Sequence, residues 1–146
     1  IQLPQSLSKK AIGFLEKPML HSSIIQSMAK LSHSAIDISD GLIADLTHIL
    51  EASKVGANIA LKDVPMNPWI KKNKLFDIGL SGGDDYQLLF TAPKKNRNKI
   101  NLVSKMPSIK LARIGSIKKE KILTITDHKG MLYKLKKGGY DHFETK

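Results

Sequence analysis

The chain has 146 residues, 41% hydrophobic, 5% aromatic and 25% charged, with a formal net charge of +11. That length suits one domain with a single core, and the scarcity of aromatics means a core of Ile, Leu, Val, Met and Ala. Cysteine is absent, which excludes disulfides, thiolate zinc sites and a cysteine nucleophile, so any metal must be held by oxygen or imidazole.

In chain order, residues 1–20 read as irregular, with Pro4 and Pro18 as breakers. Ile1 to Lys10 lacks the charged-then-apolar order of a signal peptide. No apolar run approaches the roughly 20 residues that span a bilayer. A soluble, cytoplasmic protein without membrane contact is expected, and the initial Ile in place of Met suggests a fragment. Residues 22–31 can form a short helix, followed by a short extended stretch over 34–38. Leu42, Ile43, Leu46, Ile49 and Leu50 recur at helical spacing; Asp45 and Glu51 lie outside that stripe, and Gly56 is a credible stop. Residues 57–61 read as a strand and 65–76 as a loop with one helical piece around Trp69. Ser81-Gly82-Gly83-Asp84-Asp85 reads as a turn feeding a strand over 86–91, and 94–106 as helical. Strands are expected over 109–117, 120–126 and 131–135, the last two joined by the hairpin turn Asp127-His128-Lys129-Gly130. The pattern predicts an α+β fold, a mixed β-sheet with helices packed on it, partly ferredoxin-like.

The positive charge raises nucleic acid as a partner. Arg97 and Arg113 are the only arginines, however, and the paired lysines 9–10, 71–72, 94–95, 118–119 and 136–137 fall at presumed element ends and turns. Base readout and bidentate phosphate grip favour Arg, so a solvated lysine-rich surface is the favoured reading over a binding stripe.

Three segments join glycine to carboxylates or aromatics. In Asp37-Ile38-Ser39-Asp40-Gly41, Asp37 would end a strand and Ser39 or Asp40 would cap the next helix. Two carboxylates three residues apart suit Mg²⁺, a hard cation, and a helix N-terminus suits phosphate; ordinary capping is the competing reading. In Ser81-Gly82-Gly83-Asp84-Asp85-Tyr86, the glycines let backbone approach a ligand, and adjacent carboxylates call for a cation or donors; a solvated turn is the alternative. On a strand Asp84 and Asp85 would point to opposite faces. In Gly138-Gly139-Tyr140-Asp141-His142-Phe143, Tyr140 could stack on a flat ring, or the tail could dock its aromatics into the core. No pair among His21, His33, His48, His128 and His142 has zinc spacing, and no P-loop or nucleophile elbow is present.

Together, Ser34 to Leu42, Leu80 to Tyr86 and Gly139 to Phe143 resemble the C-terminal domain of thiamine-monophosphate kinase, within the superfamily related to aminoimidazole ribonucleotide synthetase. Asp45-Leu46, His48-Ile49 and Glu51-Ala52-Ser53 extend the likeness, which runs from about residue 18 to residue 143. The Tyr140-Asp141-His142-Phe143 segment separates this family from its architectural relatives. The resemblance implies residues 1–17 as an irregular segment or linker from an N-terminal domain and residues 18–146 as a C-terminal substrate- and ATP-binding domain. It implies ATP- and magnesium-dependent phosphorylation of thiamine monophosphate to thiamine diphosphate. Asp37 and Asp40 are then expected as magnesium ligands, Ser39 as an ATP contact, Asp84 as a thiamine-phosphate contact and Tyr140 as the aromatic on the substrate's ring; no catalytic residue is assigned to this half. Gln87 stands where the family often has Glu. The family's N-terminal domain carries further magnesium-binding aspartates and the homodimer contact, so this chain alone is expected to be inactive. A basic nucleic-acid-binding domain using the helix after Asp40 and a catalytically silent interaction domain are the alternatives; carboxylates at that helix's start would repel DNA.

Overall fold

In the computed structural model, residues 4–16, 22–107 and 109–135 are described, and everything below refers to them. The first helix, α1 (Gln5–Glu16), corrects the expectation of an irregular start. Pro4 stands ahead of the first turn, where its missing N–H costs nothing, and its carbonyl accepts from the Leu7 and Ser8 amides, both at 2.9 Å. Helix α2 (Ser22–Ala29) buries Ile24 and Met28, four residues apart on one face. Strand β1 (Ser34–Asp37) leads into α3 (Leu42–Ser53), which ends at Lys54 in a left-handed conformation with φ 55°. The expected stop at Gly56 is therefore displaced: Gly56 opens β2 (Gly56–Ala60).

The helical piece expected around Trp69 forms, and a second short helix follows the stretch read as loop. Helix α4 (Pro68–Lys72) starts at Pro68 and is capped by the Asn67 side chain, which accepts from the Trp69 amide at 2.9 Å. Helix α5 (Phe76–Ser81) absorbs Leu80 and Ser81, so the glycine turn begins one residue later than the sequence suggests. Strand β3 (Leu88–Thr91) and helix α6 (Arg97–Val103), entered through a 3₁₀ turn at Lys94–Asn96, are shorter than anticipated. Strands β4 (Gly115–Lys118) and β5 (Leu123–Thr126) are likewise clipped, and residues 131–135 contribute a single bridge, Thr126 to Leu132, in place of a strand. The turn between them forms as expected, with the Asp127 carboxylate accepting from the Lys129 and Met131 amides at 2.8 and 2.9 Å. Those amides hold the carboxyl of Asp127 below its ordinary range, the Met131 bond most of all.

The chain adopts the α+β class, with its strands divided between two sheets. Strands β1 and β3 form an antiparallel pair running from Ser34 opposite Thr91 to Asp37 opposite Leu88. The second sheet is mixed, in the order β4-β2-β5, with β2 antiparallel to β4 and parallel to β5. Helix α3 supplies Leu42, Ile43, Leu46, Ile49 and Leu50 to a buried cluster with Ala57, Ile59, Leu61, Val64, Leu80, Leu89 and Ile125. Burying each such leucine or isoleucine is worth about 1.5–3 kcal/mol, so this face fixes where the start of α3 must lie. No helix among the described residues is long and apolar enough to cross a membrane.

Candidate functional site

The C-terminal end of β1 and the N-terminal end of β3 do not separate after the ladder stops. Ile38 donates its amide to the Gln87 carbonyl at 2.9 Å, Tyr86 donates to Ile38 at 2.8 Å, and Asp84 donates to Ser39 at 2.8 Å. Backbone pairing thus carries the Asp37–Gly41 loop alongside the Gly82–Tyr86 loop. Two glycines permit the approach. A Cβ on Gly41, whose φ is 118°, would lie 2.8 Å from the Ser81 carbonyl carbon, and a Cβ on Gly83 would collide with the Ser39 carbonyl oxygen. Next to this contact the Ser81 hydroxyl oxygen is buried with no hydrogen-bond partner among the described residues.

Asp84 and Tyr86 are both left-handed, with φ 63° and 48°, a conformation Asp tolerates and Tyr adopts at a cost of about 1–3 kcal/mol. These residues are therefore in a loop, and the strand-based expectation of opposed Asp84 and Asp85 side chains does not apply. The Tyr86 hydroxyl donates to Asp84 Oδ1 at 3.2 Å. That bond, with the charges of Asp84 and Asp37, pushes the Tyr86 phenol up from its ordinary value, so both carboxylates bear on the same side chain. Partial enclosure and the Asp84 charge push the Asp85 carboxyl up as well.

The start of α3 differs from the expected cap. Gly41 occupies the cap position and no side chain there bonds the helix. Instead Asp45, one turn inside, turns Oδ2 back onto three successive amides: Ser39 at 3.0 Å, Asp40 at 3.1 Å and Gly41 at 3.2 Å. Asp45 is 2% exposed, so its placement outside the apolar stripe is corrected. The spacing carried the signal, since position 45 falls three after Leu42 and four before Ile49, on the same face. Those amides are consequently occupied; Ser39 and Asp40 precede the helix, so of the terminus that sequence suggested for phosphate only the Gly41 N–H is taken.

Asp37 and Asp84 are exposed, and Asp40 and Ser39 half-buried. One ligand atom each from Asp40, Asp45 and the exposed His48 lies within 4.8 Å of the others. Asp37, the last residue of β1, is outside that group. The donor set is carboxylate-rich and thiolate-free, which fits a hard divalent cation. Tyr140 lies outside the described residues. Lys30, Lys95 and Lys99 gather with His33 around a groove at the other end of the β1–β3 ladder, away from both carboxylate loops.

Comparison with known proteins places this geometry in context. Residues 3–128 match the family model described as AIR synthase related protein, C-terminal domain. The chain is 39% identical over 132 residues to a thiamine-monophosphate kinase of Buchnera aphidicola subsp. Schizaphis graminum, covering 87% of the chain and 41% of that relative. Its fold is similar to the crystal structure of thiamine-monophosphate kinase from Stenotrophomonas maltophilia K279a, with TM-score 0.73 and 26% identity over 85% of this chain and 41% of that one. It is similar also to AaThiL complexed with AMPPCP and TMP, with TM-score 0.72 and 26% identity over 98% of this chain and 44% of that one. The chain therefore spans about two-fifths of the length of the curated relative.

Proposed function

The chain belongs to the AIR synthase related protein family through its C-terminal domain, and from that premise we propose that it is one half of a kinase site that phosphorylates thiamine monophosphate with ATP. The observation that carries the reading is the bond from the Asp84 amide to the Ser39 carbonyl, which holds two carboxylate-bearing glycine loops side by side. Asp37 and Asp40 are the residues that would hold Mg²⁺, Ser39 would meet ATP, and Asp84 would meet the thiamine phosphate. Tyr140 is proposed to pack on the thiamine ring. Bound magnesium would neutralise phosphate oxygens on two anions that otherwise repel. The chain's own contribution is alignment, because phosphoryl transfer asks for positioning and charge neutralisation more than covalent help. Names of relatives support the substrate pair: one is a thiamine-monophosphate kinase, and another was solved with AMPPCP and TMP.

Because the chain spans 41% of its relative, the remaining ligands and a homodimer contact are assigned to an N-terminal half; the bacterial kinase relatives support a cytoplasmic protein. The 146-residue chain alone is then expected to turn over no substrate. In the complete protein, Asp37→Ala should lower the rate of thiamine diphosphate formation by about 100-fold, the scale of a lost charge stabiliser. Unchanged turnover in that variant would instead identify this half as a silent interaction domain.

A further inference from the structure

Asp45 is the most buried charged residue among those described, 2% exposed, on the buried face of α3. A carboxylate is costly to bury unless its oxygens are hydrogen-bonded. Here one oxygen takes three consecutive amides, from Ser39, Asp40 and Gly41, at 3.0 to 3.2 Å. A helix that needed only a cap could place Ser or Asn at position 41. Gly41 is there instead, with φ 118°, a value that favours glycine. Charge-assisted bonds of this kind are stronger than neutral ones and fix direction as well as distance. Drawing three successive amides onto one point curls the loop around Asp45. The Ser39 carbonyl accepts from the Asp84 amide, and the Asp40 carboxylate lies within 4.8 Å of the His48 ring and of Asp45 itself.

We infer that Asp45 is a positioning residue: its carboxylate sets the conformation of residues 39–41 and thereby presents Asp40 and Ser39 to a divalent cation and its phosphate ligand. The inference rests on the assignment of Asp40 as a cation ligand made above. It separates two roles for neighbouring acids, one that would meet the metal and one that holds the loop from behind.

The test uses the complete protein with Mn²⁺ alone, read by the electron paramagnetic resonance of the free ion, together with amide exchange at residues 39–41. Asp40→Ala should weaken Mn²⁺ binding. Asp45→Ala should weaken it by about 10- to 100-fold, the range for groups that orient metal ligands, and should release the three amides to exchange. Asp45→Asn keeps an acceptor oxygen and should recover most of the affinity and the amide protection; this arm decides the matter if Asp45→Ala fails to fold. Wild-type affinity in Asp45→Ala with its amides freed would overturn the positioning role alone. So would an Asp45→Asn chain that keeps its amides protected yet binds as weakly as Asp45→Ala, since Asp45 would then be a direct ligand. If Mn²⁺ binds wild type and Asp40→Ala equally, or does not bind wild type, the cation assignment itself falls and takes the positioning role with it.

Discussion

Tyr133 and Asp45 show two ways in which a single polar group is made to fit an apolar setting. The Tyr133 hydroxyl donates to Asp77 Oδ1 at 3.0 Å while its ring meets Phe76 edge-on, with centroids 6.0 Å apart. Burial, then the bond to Asp77 and its negative charge, push the phenol up to about 12 from 10.0. The neutral form is thus favoured in the fold. The stability this contact contributes is complete below pH about 10, where the unfolded chain also keeps its proton, and is lost as pH rises through about 12. Spectroscopic titration should show a late phenolate step in the native protein that Tyr133→Phe removes. Between those pH values wild type should lose more stability than the variant; equal losses would show that the hydroxyl is not held in this way. Asp45 is buried by another route, with three backbone amides donating to one carboxylate oxygen.

Helix α3 is the element on which both the core and the site depend. Its apolar face packs into the central cluster, and its first turn carries the loop that holds Ser39 and Asp40. Leu46, 3% exposed, sits in the middle of that face. Leu46→Ala should therefore destabilise the chain by about 2–5 kcal/mol in denaturant unfolding, the lost transfer energy plus the cavity left behind. Leu102 lies on α6 and is 65% exposed, so Leu102→Ala should stay within about 0.5 kcal/mol of wild type. Comparable effects at the two sites would mean that α3 is not the packing centre. The helical period of Leu42, Ile43, Leu46, Ile49 and Leu50 made this element legible in advance. Helix α4 was anticipated as a helical piece around Trp69; helix α5 was not, because six residues offer too few turns for a period to emerge.

Across the molecule, α3 packs with β2 and β5 of the mixed sheet and with Leu89 of the β1–β3 pair in one cluster, while α6 and the turn at residues 127–131 lie outside it. Amide exchange should follow that division. Protons of α3 and β2 should exchange only through global unfolding, and those of α6 through local opening at markedly lower cost. Uniform protection would contradict it. The sequence by itself determined the α+β class, the long amphipathic helix, the hairpin turn at Asp127 and the two carboxylate-bearing glycine loops, because each rests on local period or turn chemistry within a few residues. Tertiary structure decided the rest. The division of strands into two sheets depends on pairings between distant residues, which no local pattern encodes. The juxtaposition of Ser39 with Asp84 depends on backbone bonds that continue past the β1–β3 ladder. The role of Asp45 likewise became visible only when the chain's curl brought three amides onto one carboxylate oxygen, a geometry in which burial and hydrogen bonding must be satisfied together.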